Sequence, residues 1–229
     1  MPVGLRRVLL AGFAALLVLW AGALVYVLLE RSGARTASTA GQVAQSEPRT
    51  GPFRGSKLPD GIVGRPAPDF RLSDARGRPV DTRRLAGRPY LVTFLYTNCP
   101  PGDTCPTIAA ELRQALKQLG PRADDLTILA VSVEPKGDTP AAARRWLRRY
   151  RLPANFRFLV GSRRELEPVW DSYYVGSQDP ANEQSRHTSN MWLVDARGRW
   201  RTKFSAGFPV PPADIAHDLG VLLDEAERS

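Results

Sequence analysis

Two cysteines, Cys99 and Cys105, and two histidines, His187 and His217, are the residues of this chain best suited to soft-metal or redox chemistry. Both thiols sit in "YTNCPPGDTCP", Tyr96 to Pro106, with five residues between them. That spacing is too wide for the C-x-x-C of a dithiol oxidoreductase and matches no common zinc pattern. A disulfide staple is one reading, although closing so short a loop removes little entropy from the unfolded chain. An oxidising compartment could still form the bond, so the redox state of the pair stays open. Thiolates are also the nucleophiles of disulfide exchange and soft metal ligands. Two sulfurs alone rarely make a selective metal site, which directs attention to a nitrogen donor. His187 stands between a polar loop and the apolar segment "TSNMWLVD", where it can reach a neighbouring loop. A hydrogen-bonded structural histidine is the alternative there. His217, in "DIAHDLG", is expected on a partly exposed helix face with no functional role.

The elements around these residues follow from their periodicity. "FRLSDARGRPVDT", Phe70 to Thr82, has the pattern of two short strands about a glycine-containing turn. "YLVTFLYT", Tyr90 to Thr97, is a continuous apolar and β-branched run of the kind that fills a central strand. Pro106 is placed to open a helix at its first position, and Ile108, Leu112, Ala115, Leu116 and Leu119 repeat at helical spacing up to Gly120. "LTILAVSVE" (Leu126 to Glu134) and "FRFLV" (Phe156 to Val160) predict further strands. Thr139–Pro140 predicts a helix start, with the helix ending near Tyr150, and Ser162 with Glu165 predicts a capping box. Thr188 to Ser205 predicts a hairpin about Asp195–Gly198, and "PPADIAHDLGVLLDEAE" a final amphipathic helix. Alternating strands and helices finished by a hairpin argue an α/β domain with a mixed sheet flanked by helices. The cysteines then lie at the carboxyl end of a central strand, where open α/β sheets usually place their chemistry. The helix that follows points its positive end at the loop and favours thiolates.

Ahead of this domain, Val8 to Leu29 is a run of 22 residues without a charge. At ~1.5 Å per residue it is long enough for a hydrocarbon core of ~30 Å. Arg6 and Arg7 place residues 1–7 in the cytoplasm and the remainder on the extracytoplasmic side. A cleaved signal peptide is the competing reading, prompted by the small residues Ala37 to Gly41. An uncleaved single-pass anchor is favoured, because those residues lie well beyond the apolar run and secretory cores are shorter, ~7–15 residues. Residues 30–61 are rich in Ser, Thr, Gly and Ala and predict a flexible tether, leaving 62–229 as the soluble domain. The formal net charge is +9, and paired arginines recur at 83–84, 144–145, 148–149 and 163–164. These pairs fall on expected solvent faces, and an outward-facing domain has no nucleic acid to meet. A weak attraction to anionic headgroups near the tether is the most this charge implies.

Four stretches, "PDFRLSDARGRPV", "GRPYLVTFLYTNCP…TCP", "ILAVSVEPKGDTP" and "HTSNMWLVDARGRW", occur in the order and spacing of the SCO/SenC family, which the chain resembles over Val63 to Leu223. Those are membrane-anchored, thioredoxin-like copper proteins of cytochrome c oxidase assembly. The resemblance implies a thioredoxin-like fold and a copper site, with Cu(I) favoured, made by Cys99, Cys105 and His187. Asp138 matches the second acid of the family's D-P-x-x-D-T-P stretch, with Glu134 in place of the first; a turn-and-cap residue is its alternative role. The family's cysteine motif is C-x-x-x-C-P, so the loop here is two residues longer. Pro100 and Pro101 stiffen it and Gly102 permits a tight reversal.

The resemblance makes the chain a metallochaperone rather than an enzyme, with the copper-bearing oxidase subunit or another copper chaperone as partner. A thiol–disulfide oxidoreductase using Cys99 and Cys105 as its redox pair is the alternative. The missing C-x-x-C and the absence of a proline just before "TSNMWLVD" weigh against it. A peroxidase would need one strongly activated cysteine, and a redox sensor would have lost copper through the longer loop.

Overall fold

The computed structural model of the protein describes residues 51–59, 61–175, 189–205 and 209–228. The expected membrane segment at 8–29, its flank at 1–7 and His187 lie outside the described residues. No helix among the described residues is long and apolar enough to cross a membrane.

Strands β1 (Arg71–Asp74) and β2 (Pro79–Asp81) pair antiparallel, and the Asp74 carboxylate closes their turn by accepting the N–H groups of Arg76 and Arg78 at 2.9 Å. A 3-10 turn (Thr82–Leu85) leads to β3 (Tyr90–Leu95), then α1 (Thr104–Leu119) and, after a second 3-10 turn, β4 (Thr127–Ser132). Helix α2 (Pro140–Arg149), β5 (Phe156–Val160) and α3 (Arg163–Ser172) follow. The hairpin β6 (Met191–Val194) and β7 (Trp200–Phe204) precedes the last helix, α4 (Pro212–Glu227). The sheet order is β2-β1-β5-β4-β3-β6-β7, with β3, β4 and β5 parallel and their outer neighbours antiparallel. This is the mixed α/β sheet expected from the alternation of elements.

Every residue of β3 is buried because both faces of the sheet are covered. Leu91 and Leu95 share a core with Leu112 of α1, Trp146 of α2 and Leu219 of α4. Val92 and Phe94 share the other core with Leu166, Val169 and Trp170 of α3. The period-2 alternation of a strand divides its side chains between the two faces, and two apolar faces read as one continuous run.

The tether expected as far as Gly61 ends sooner. Phe53 and Leu58 are only 3% and 1% exposed, and Ser56 forms an antiparallel bridge with Lys203 of β7, its N–H 2.7 Å from the Lys203 carbonyl. The buried Asp218 carboxylate of α4 accepts the N–H groups of Arg54 and Gly55, each at 2.8 Å. A Cβ on Gly55 would stand 2.7 Å from the Lys203 carbonyl oxygen, so the strap can approach β7 this closely only as glycine. Composition missed the strap because two apolar side chains and a few backbone hydrogen bonds, rather than a periodic pattern, dock it. His217 belongs to the same anchorage, with Nδ1 2.9 Å from Asp218 Oδ1.

Removing the anchoring carboxylate (Asp218→Ala) orphans two N–H groups. It is expected to cost about 1–3 kcal/mol in urea unfolding and to open the bond after Arg54 to trypsin. An unchanged urea midpoint and digestion pattern would show that Asp218 does not hold the strap. A second buried acid, Glu111 of α1, accepts the Val210 N–H at 2.7 Å, and burial pushes its carboxyl up to about 6. The folded chain thus holds this proton more tightly than the unfolded chain does, and stability falls as pH rises from 4.5 through about 6. Glu111→Gln keeps an acceptor without the charge. Its urea midpoint is expected to rise relative to the parent across that window, and a constant difference would refute the assignment.

Candidate metal centre

The cysteine loop begins where β3 ends and closes on the first turn of α1. Asp103 is the N-cap of that helix, its carboxylate accepting the Thr104 N–H at 2.7 Å. Cys105 is therefore the second helical residue and Pro106 the third, which corrects the expectation that Pro106 opens the helix. Proline is tolerated there because N–H groups of the first turn have no acceptor within the helix. The earlier start places Cys105 among the outward-pointing N–H groups. Between the cysteines, the Pro100 carbonyl accepts the Asp103 N–H at 3.2 Å and Gly102 has φ 85°. Proline followed by a positive-φ glycine at the centre is the signature of a type II turn. That reversal absorbs the length of the loop.

The reversal brings the two sulfurs together. Both cysteines are free thiols and buried, Cys99 at 8% exposure and Cys105 at zero. The Cys105 thiol donates to the Cys99 sulfur, which also receives the Cys105 backbone N–H and the Tyr96 hydroxyl. These donors hold Cys99 below the usual thiol range against the opposing effects of burial and of Asp103. Donation to Cys99, together with burial, pushes the Cys105 thiol far up. The Tyr96 hydroxyl also stays protonated, through burial and the adjoining sulfur charge. The two thiols are thus ordered: Cys99, at a helix N-terminus, is the more acidic and Cys105 the one that keeps its proton longer.

Acidic residues beyond the loop fix its position. Asp138, 3% exposed, accepts the Thr97 N–H at 2.7 Å and the Ser132 hydroxyl at 2.5 Å. It does not cap α2: Thr139 does, accepting the Ala142 N–H at 3.2 Å. Glu134 accepts from the Asn98 side chain at 3.1 Å. The "EPKGDTP" stretch after β4 therefore positions the residues that lead into Cys99. The sequence reading gave Tyr96 and Asp103 no role. Asp103 carried a usable signal, an aspartate immediately before a helix, which the proline at 106 obscured.

Of the proposed ligands, Cys99 and Cys105 are brought together and His187 lies outside the described residues; His217, expected to have no functional role, is engaged with Asp218. Among the described residues no three Cys, His, Asp or Glu side chains converge as a metal cluster.

The family model described as SCO1/SenC matches residues 64–223, with the cysteine loop inside the match. The chain belongs to the SCO1/SenC family. A SCO2-like protein of Rickettsia conorii is 29% identical over 142 residues, covering 59% of this chain and 67% of that protein. Among solved structures, Bradyrhizobium japonicum ScoI with copper bound is 30% identical at TM-score 0.59, covering 69% of this chain and 99% of the other. BsSco, described with a disulfide switch and as a member of the Sco family of cytochrome c oxidase assembly proteins, is 26% identical at TM-score 0.62, covering 73% and 98%. The mixed sheet of this SCO1/SenC chain is thus the thioredoxin-like Sco fold.

The asymmetry of the two thiols is open to a direct check. In the reduced, metal-free protein, iodoacetamide is expected to modify Cys99 about tenfold or more faster than Cys105, followed by peptide mass analysis. Equal rates, or Cys105 first, would contradict the ordering of the two thiols.

Proposed function

We propose that this SCO1/SenC chain is a copper metallochaperone that holds Cu(I) between Cys99, Cys105 and His187. It delivers the ion to the binuclear copper centre of a terminal cytochrome c oxidase. The observation that carries the reading is the convergence of two buried free thiols, Cys105 donating to the Cys99 sulfur. Soft sulfur donors suit Cu(I), and an imidazole would complete a three-coordinate site that can still release its cargo. Binding would expel the Cys105 proton, so affinity would rise with pH. Copper in the Bradyrhizobium japonicum ScoI structure supports the same cargo. In this reading residues 8–29 anchor the chain in the membrane with the domain on the extracytoplasmic side. The copper-bearing oxidase subunit or another copper chaperone is the partner.

Titrating the reduced protein with Cu(I) against a chromophoric chelator tests the site. One tight equivalent is expected, weakened by orders of magnitude in Cys99→Ala, Cys105→Ala and His187→Ala. Parent-like binding by His187→Ala would overturn the three-ligand site.

The greater acidity of Cys99 also favours a second reading, a thiol–disulfide oxidoreductase. The Cys99 thiolate would attack a client disulfide and release one client thiolate. Cys105 would then displace the other, leaving a Cys99–Cys105 disulfide and a reduced client. Rapid reduction of a disulfide-bonded substrate by the copper-free protein would favour this reading over the first.

A further inference from the structure

At the other end of the parallel strands lies a feature that the cysteine chemistry does not use. An open cavity of about 420 Å³ is bounded by the β1–β2 turn, the carboxyl-terminal part of α2 and the start of β5. Six arginines line it against a single acid, Asp74. Its floor is apolar, with Leu147, Leu152, Phe156 and Phe158. The cysteines follow the carboxyl end of β3, whereas this cavity meets β5 at its amino end, so the two are separate sites on one sheet.

Three of the arginines are already committed. Arg78 and Arg157 both engage Asp74 Oδ2, at 2.9 Å each, and Arg144 donates to the Ala75 carbonyl at 2.6 Å. Asp74 is thereby neutralised and three guanidinium groups are fixed as a wall. The side chains of Arg76, Arg148 and Arg151 are exposed and have no hydrogen-bond or ion-pair partner among the described residues. Three unneutralised guanidinium groups around one concavity repel one another, and a multiply charged anion relieves that repulsion with bidentate hydrogen bonds. Arg151 ends the α2 region at φ 51°, a left-handed conformation that costs a non-glycine residue roughly 1–2 kcal/mol, and glycine is the usual occupant after a helix. That reversal of the chain leaves Arg151 on the lining of the cavity.

We propose that this cavity is a binding site for a phosphate-bearing anion, with Arg76, Arg148 and Arg151 as its direct ligands. The paired arginines shape the wall, and the apolar floor accommodates the body that carries the phosphate. The ligand is either a soluble phosphate ester or an anionic phospholipid headgroup, both of which present the same group to the same guanidinium fork.

Sodium pyrophosphate, titrated calorimetrically into the purified full chain in dodecylmaltoside at low ionic strength, tests the site. One equivalent is expected to bind, with affinity falling as salt is raised. The variant Arg76→Gln/Arg148→Gln/Arg151→Gln is expected to bind at least tenfold more weakly. The control Arg84→Gln/Arg145→Gln/Arg164→Gln removes the same charge from exposed positions outside the cavity and is expected to stay within about twofold of the parent. Micelles doped with phosphatidylglycerol, compared with phosphatidylcholine, separate the sources. Displacement of pyrophosphate by the anionic lipid assigns the site to a headgroup, and retention of pyrophosphate assigns it to a soluble phosphate. Absence of pyrophosphate binding, or equal weakening in the two triple variants, would overturn the proposal.

Discussion

Buried between the ends of β3 and β4, the carboxylate of Asp138 accepts the Thr97 N–H and the Ser132 hydroxyl, and so determines how the chain leaves the central strand. Everything at the reactive end follows from that exit. Thr97 stands two residues before Cys99, so fixing its backbone fixes where the first sulfur begins. Ser132 is the last residue of β4, and its carbonyl also accepts the Trp170 indole N–H at 2.8 Å, which joins the same junction to α3. A buried N–H deprived of its acceptor costs about 1–3 kcal/mol, so this junction resists rearrangement even though a loop hangs from it.

Given that exit, the polarity of α1 decides what the thiols become. The first turn of a helix offers N–H groups with no internal acceptor, and here one of them, from Cys105, turns toward the Cys99 sulfur. Burial alone would raise both thiols. Unequal donation separates them, so that two chemically identical side chains six positions apart in the sequence shift in opposite directions. Cys99 is the sulfur that gives up its proton more readily, and Cys105 the one that holds it.

The sheet was legible in the sequence wherever burial was two-sided. Tyr90–Leu95 and Thr127–Ser132 announce themselves as unbroken apolar runs, and Ser162 with Glu165 does form the capping box. Reading failed where one residue settles a local competition. Pro106 is a stronger signal than Asp103, yet the aspartate starts the helix because its carboxylate meets an N–H that the proline cannot interrupt. Residues 51–59 looked like linker because a docked strap needs no repeating pattern, only Phe53 and Leu58 at the right places. The gathering of Arg76 with Arg148 and Arg151 is invisible in sequence for a different reason: 72 positions separate the first from the second, and the strand order that joins them is a tertiary fact. The two sulfurs were legible as a pair, while their opposite shifts in acidity were not.

The turn from Pro100 to Asp103 has a consequence for how such domains are recognised and how they diverge. Its two ends are close in space whatever lies between, so residues can enter or leave at the turn without moving the strand end or the helix start. Cysteine spacing along the chain then records the contents of a turn and says nothing of the gap between sulfurs. A pattern search written for one fixed interval would discard this domain, although its two thiols interact. The durable signature is positional: one cysteine just past a buried strand and another inside the first turn of the next helix, with the interval between them free to drift.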